Sequence, residues 1–181
     1  MPRWSNGLLT AFHGTDSGSL AGYGPLALDA PLAGFAVDIA RCRPNTDFGQ
    51  GFYLATNDHQ ARQWANTRVH RLRGPRSTRL QAIVLSFAID RDLLAGADIL
   101  AFVVATTDYW DLVHDCRLGF APHSRAGAKK YYDVVYGPVS LSRQELIIHD
   151  CDQISVHDQS LANRLPQPIV HQVATSASGL F

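Results

Sequence analysis

Asp47-Phe48-Gly49-Gln50-Gly51-Phe52-Tyr53-Leu54-Ala55 is the stretch from which the rest of the chain is best read. Two glycines around one residue make a tight turn with exposed backbone, and Phe-Tyr-Leu-Ala behind it has the aromatic and aliphatic content of a strand. Tyr53 on that strand offers a flat ring to an aromatic heterocycle. Upstream, Phe12-His13-Gly14-Thr15 ends a short apolar segment. Gly14 has no Cβ to shield its N–H and C=O, so a planar amide such as a carboxamide can pair with both groups of one residue. Taken together, the two pieces predict a pocket for a nicotinamide ring.

Working outward, Leu8 to His13 reads as a first strand, Gly14 to Leu32 as an irregular loop, and Ala33 to Cys42 as a short strand or helix. Arg43 to Asp47 is turn chemistry leading into the glycine bend, where Asp47, like Thr15, is expected to shape its own turn through side-chain to backbone bonds. Thr56-Asn57-Asp58 supplies capping oxygens, and Ala61, Trp64, Ala65 and Val69 follow at helical spacing, predicting a helix from Asp58 to Leu72. Gly74 to Ser77 breaks it and Leu80 to Ile89 alternates as a strand. A helical middle is expected next, with apolar Ile99 to Ala105 and an amphipathic helix over Thr106 to Cys116. Tyr132 to Gly137 reads as a buried strand closed by Gly-Pro, Gln153 to His157 as another, and Ser160 to Leu165 as one helical turn. From Gln167 onward the Pro, Gln, Ser and Ala content predicts a flexible tail, leaving one domain over residues 1–166.

Length and charge narrow the class of protein. The chain has 181 residues, enough to bury a core without staples, and its 16 basic residues balance 16 acidic ones. No whole-chain preference for nucleic acid or membrane follows. The one local exception is the run Arg62, Arg68, Arg71, Arg73, Arg76 and Arg79 with His70, which reads as a solvated helix end or as a contact for phosphate or an acidic partner. Cys42, Cys116 and Cys151 form no Cys-x-x-Cys pair, and the odd count points to a reducing, cytoplasmic setting. No secretory leader is legible at the N-terminus, and no window approaches the ~18 apolar residues of a membrane span. His149-Asp150-Cys151-Asp152 does not make a metal site, since neighbours on a strand face opposite ways, and no metal is expected. Gly49-Gln50-Gly51 is no dinucleotide fingerprint either, because a strand follows it where that motif has a helix.

The order of Phe12-His13-Gly14-Thr15, Gly49-Gln50-Gly51-Phe52-Tyr53-Leu54-Ala55, the helix with Ala61 and Trp64-Ala65, and the late strand at Gln153 resembles the ADP-ribosyltransferase superfamily, on the branch of diphtheria toxin and the poly(ADP-ribose) polymerases. Within it the pattern is most similar to a small bacterial family long catalogued as of unknown function. The resemblance covers about Phe12 to Leu165. It implies an α+β fold, with a split, mostly antiparallel sheet core and flanking helices, and NAD as co-substrate.

Carried over residue by residue, the resemblance puts His13 on the adenosine-side or nicotinamide ribose hydroxyls, makes Gly14 the backbone clamp on the carboxamide, and stacks Tyr53 on the ring. Thr15, Gly51, Phe52 and Arg117 complete the expected NAD contacts, Arg117 on the phosphates or on an acidic target. The third catalytic position, after His13 and Tyr53, holds a glutamate in the best-known members. Here it falls on Gln153, with Asp152 as the fallback on the opposite face of the strand. An amide accepts from a ribose hydroxyl but cannot act as general base, which favours mono-ADP-ribosylation or NAD hydrolysis over chain elongation. The acceptor would be a macromolecule, protein or nucleic acid, and members of this size resemble toxins or effectors, some with a neutralising antitoxin protein. A non-catalytic module that keeps the pocket is the remaining alternative. Asp133 is expected either to face the pocket or to cap a sheet edge.

Overall fold

The computed structural model describes residues 6–72, 80–120, 132–141 and 145–181. In chain order these form β1 (Leu9–Asp16), β2 (Phe52–Ala55), α1 (Asp58–Leu72), β3 (Ala82–Ile89), α2 (Arg91–Ala95), β4 (Ile99–Ala101), α3 (Thr107–Arg117), β5 (Val134–Ser140), β6 (Ile147–Val156), α4 (Gln159–Ala162) and β7 (Ile169–Val173). The class is α+β. β1 pairs antiparallel with β2 and β3, β3 with β7 and β5 with β6, while β4 runs parallel to β5. Contacts divide the chain into two compact units, one of Met1–Asn6, Ala36–Tyr53 and Asp90–Leu165, the other of Gly7–Phe35, Leu54–Ile89 and Pro166–Phe181.

In the second unit β3 is the middle strand, and it is buried almost throughout because both neighbours use it: β1 from Leu9↔Ile89 to Asp16↔Ala82, and β7 from Ile83↔Val173 to Ser86↔Ile169. Its run Ala-Ile-Val-Leu is the continuous apolar pattern expected of a strand covered on both faces. Helix α1 begins where Asn57 Oδ1 accepts from the His59 N–H at 2.8 Å. Its buried stripe is Ala61, Ala65 and Val69, spaced by four, and these small side chains let the helix lie close to β1. A Cβ on Gly14 would overlap the Ala61 carbonyl oxygen, so glycine is required there by closeness of packing.

In the first unit β5 lies between β4, parallel, and β6, antiparallel. Pro138 falls beyond Ala101↔Tyr136, the last β4 register pair, where no ladder N–H is demanded of it. Helices α2, α3 and α4 each start on a side-chain cap, from Asp90, Thr106 and Asp158. The α3 residues Tyr109, Leu112, Val113 and Cys116 bury themselves with Phe48 and Val135, and Tyr53, Leu100 and Phe102 pack on that cluster.

Several expectations are corrected. Strand β1 does not stop at His13 but carries Gly14, Thr15 and Asp16, because α1 covers a glycine that looked like a loop residue. Ala33 to Cys42 yields only a 3-10 turn at Ile39–Arg41. Ile99 opens a strand, not part of a helical run. The Gly137-Pro138 pair lies inside β5, and β6 begins six residues before Gln153. The tail expected from Gln167 forms β7 and then a hook in which Ala82 donates to Gly179 at 2.7 Å, since Ile169, Val170 and Val173 supply strand chemistry that the surrounding Pro and Ser obscure. The break at Gly74 to Ser77 and Arg73, Arg76 and Arg79 of the basic run lie outside the described residues.

Candidate functional site

In the second unit the backbone of Gly14 has a definite direction. Ala82 donates to Gly179 at 2.7 Å and accepts from Ala174 at 2.9 Å, so both its backbone groups turn toward the β7 side. Ala82 is the register partner of Asp16. In an antiparallel ladder such a pair exchanges no bonds, and the alternation repeats it at Gly14↔Val84 and Phe12↔Ser86. The Ser17 N–H to Gln81 C=O bond, 2.9 Å, has the complementary phase. Gly14 therefore sends its N–H and C=O out of β1 on the edge opposite β3. β2 registers with that edge at Phe12↔Ala55, two residues short of Gly14. His13, half-buried, and Thr15, buried, alternate with Gly14 and so lie on the face of β1 turned away from α1.

In the first unit Tyr53 is held by its hydroxyl. That oxygen accepts from the Phe48 N–H at 2.8 Å, lies 2.7 Å from Thr46 Oγ1, and donates to the Gly49 carbonyl at 2.9 Å. Burial, outweighing these hydrogen bonds, raises its pKa above the ordinary phenol range, so the ring stays neutral. Phe48 lies beside it with the ring planes 20° apart. The two glycines of the turn serve different needs. Gly49 has φ +80°, a left-handed turn that side chains resist, whereas a Cβ on Gly51 would collide with Ser155 Oγ and the His157 ring. His157 Nδ1 lies 2.8 Å from the Gln50 carbonyl, which fixes the turn against the end of β6.

Asp47 is the hub of the same unit, and its bonds reach far along the chain instead of shaping its own turn as expected. Oδ1 accepts from Arg117 Nε at 3.1 Å and Nη2 at 2.7 Å; Oδ2 accepts from Ser140 N–H at 3.2 Å, Ser140 Oγ at 2.7 Å and Gln153 Nε2 at 2.8 Å. Thr46 is the residue that shapes the turn, donating to Gly49 C=O at 2.5 Å. Arg117 also gives Nη2 to Ser140 Oγ at 2.6 Å, so Nε and Nη2 of its fork are engaged within the unit. Gln153, 2% exposed, gives its second amide proton to Pro138 C=O at 3.0 Å, an oxygen that also accepts from the Tyr109 hydroxyl at 2.8 Å.

Asp152, on the opposite face, accepts from the Tyr136 hydroxyl, whose pKa burial and that carboxylate push up to about 12. Asp133 caps a sheet edge, its Oδ2 accepting from the Asp98 N–H at 3.0 Å at the start of β4.

Arg117, Gln153 and Asp47 thus come together, with Tyr53 anchored one turn away through Phe48. Gly51 and Phe52 are buried beneath that turn. Asp47 stands in the quoted motif, but only its apolar neighbour Phe48, driven into the core, hinted that it points inward. Nothing in the sequence marked Ser140. Among the described residues no three His, Cys, Asp or Glu side chains group so as to hold a metal ion. No helix there is long and apolar enough to cross a membrane.

A family model described as a protein of unknown function, DUF3990, matches residues 35–177. The chain belongs to the DUF3990 family. The DUF3990 match contains Asp47, Gly51, Phe52, Tyr53, Arg117 and Gln153, whereas His13, Gly14 and Thr15 precede it. Neither a curated protein nor a solved structure matches the chain.

Proposed function

We propose that this DUF3990 chain binds NAD and transfers a single ADP-ribose to a macromolecular acceptor. The observation that carries this is the direction of the Gly14 backbone, whose N–H and C=O leave β1 on the edge away from β3 and two residues past the β2 register pair. A nicotinamide carboxamide has one acceptor and one donor in a plane, the complement of those two groups. Tyr53 supports the same assignment: a neutral ring pinned by its hydroxyl keeps a fixed plane on which a pyridinium can stack, worth on the order of 1 kcal/mol beyond the area it covers.

His13 binds ribose hydroxyls, and Gln153 accepts from the hydroxyl beside the anomeric carbon. The bond between nicotinamide and ribose breaks with its electron pair leaving on nicotinamide, and the oxocarbenium-like carbon is taken by the acceptor's nucleophile. The chain's contribution is to hold NAD in a reactive geometry and to favour the developing positive charge. No proton is taken up by Gln153, so the acceptor must be a good nucleophile or lose its proton elsewhere. Cys42, Cys116 and Cys151 are free thiols, in keeping with the cytoplasm. A toxin or effector restrained by an antitoxin protein fits the small size of the chain by analogy.

Incubating the protein with NAD labelled in its adenosine half tests this. Label on protein or nucleic acid supports transfer, free ADP-ribose alone points to an NAD glycohydrolase, and binding without turnover points to a non-catalytic module.

A further inference from the structure

The side-chain amide of Gln153 stands between two groups that can only accept: Asp47 Oδ2 at 2.8 Å and the Pro138 carbonyl at 3.0 Å. Amide nitrogen and oxygen are alike in outline, and it is the partners that settle which is which. Here both require nitrogen. Oε1 therefore faces the other way. Pro138 C=O also receives the Tyr109 hydroxyl at 2.8 Å, and of the two acceptors Asp47 is the carboxylate, so its bond to the Gln153 amide is the charge-assisted one.

We propose that Asp47 is the positioning residue for Gln153, fixing the one amide orientation that presents Oε1 to a ligand hydroxyl. Arg117 and Ser140 hold the carboxylate still while it does so, four donors from them reaching it at 2.7–3.2 Å and Arg117 Nη2 also bonding Ser140 Oγ at 2.6 Å. The orientation stands on geometry alone. That the hydroxyl belongs to the nicotinamide ribose rests on the NAD proposal above.

The two positions are also matched in charge. A glutamate at 153 would bring a second carboxylate against Asp47, and like charges at that separation do not both ionise cheaply. Glutamine is thus the residue that position 153 takes while position 47 is aspartate. Exchanging the pair, Asp47→Asn with Gln153→Glu, again sets a donor against an acceptor.

Three measurements on the full chain test this. By NMR the Gln153 side-chain amide protons should give two separate, slowly exchanging signals in the wild type and in Ser140→Ala, and lose that protection in Asp47→Ala. In thermal melting, Gln153→Glu should lower Tm by about 5 °C or more, and the exchanged double variant should recover part of that loss. Affinity for NAD should exceed that for its analogue lacking the 2′-hydroxyl on the nicotinamide ribose by about 3- to 10-fold, a ratio that falls toward one in Asp47→Ala. Unchanged protection in Asp47→Ala, or a double variant that melts at the simple sum of its parts, overturns the proposal. If Asp47→Ala does not fold, the melting cycle decides. A wild type with no affinity for NAD sinks the NAD proposal alone, because the first two measurements use no nucleotide.

Discussion

Asp47 and Gln153 stand 106 positions apart in the chain and 2.8 Å apart at their side chains. The same carboxylate is paired with Arg117, so a turn before β2, the end of α3 and the middle of β6 are fastened at one point. Removing Arg117 would leave a carboxylate, 14% exposed, short of its cation. Arg117→Ala is expected to lower unfolding free energy by about 2 kcal/mol, measured by urea titration, and Arg117→Lys to recover only part, since lysine cannot supply the two-nitrogen fork. A wild-type midpoint for Arg117→Ala would show the pair to be ornamental.

Tyr53→Phe keeps the ring and deletes the hydroxyl that accepts from Phe48 N–H and donates to Gly49 C=O. The cost should be about 1–2 kcal/mol, because a partly buried backbone N–H loses its acceptor. In the NAD assay this variant should keep measurable turnover while Tyr53→Ala loses it, which separates the ring's contribution from the hydroxyl's.

Two glycines should respond differently to alanine. Gly14→Ala drives a methyl into the Ala61 carbonyl of α1 and should cost about 3 kcal/mol or abolish folding, whereas Gly49→Ala brings the backbone strain of φ +80° and should cost about 1 kcal/mol. Comparing their melting temperatures checks both. Equal losses would contradict the close approach of α1 to β1.

Asp16 is 1% exposed. Burial alone would raise its carboxyl, but bonds from the Ser19 hydroxyl and the Arg68 guanidinium outweigh that and hold it below the ordinary 3.8. A carboxyl depressed on folding stabilises the fold above its unfolded pKa, and that stability is lost as pH falls through the folded value. The cluster should therefore contribute fully at pH 7 and fade below about pH 4. Arg68 is half exposed, so Arg68→Ala should cost about 1 kcal/mol at neutral pH and little at pH 2, read from denaturation at the two values.

The sequence exposes the parts of this chain whose chemistry is local. Helix α1 was legible from Asp58 to Leu72 because its cap and its Ala61, Ala65, Val69 stripe are written side by side in the sequence. β2 was legible because two glycines and three large residues stand side by side. What stayed hidden depends on partners far along the chain. Gly14 looks like the start of a loop until α1 is laid against it, and Ile169 to Val173 looks like a tail until β3 needs a neighbour. Ile99 to Ala101, too short to show alternation, becomes a strand only beside Val134 to Tyr136. Gln153 and Tyr53 could be singled out by motif, yet the carboxylate that orients one and the Thr46–Gly49 turn that fastens the other appear only in three dimensions.

The most direct measurement is release of nicotinamide from NAD by the purified wild-type protein beside Tyr53→Ala, with calorimetric titration of NAD into both. Nicotinamide should appear with the wild type, and Tyr53→Ala should both lose release and bind NAD more weakly. A folded wild-type protein that neither binds NAD nor releases nicotinamide would contradict the account.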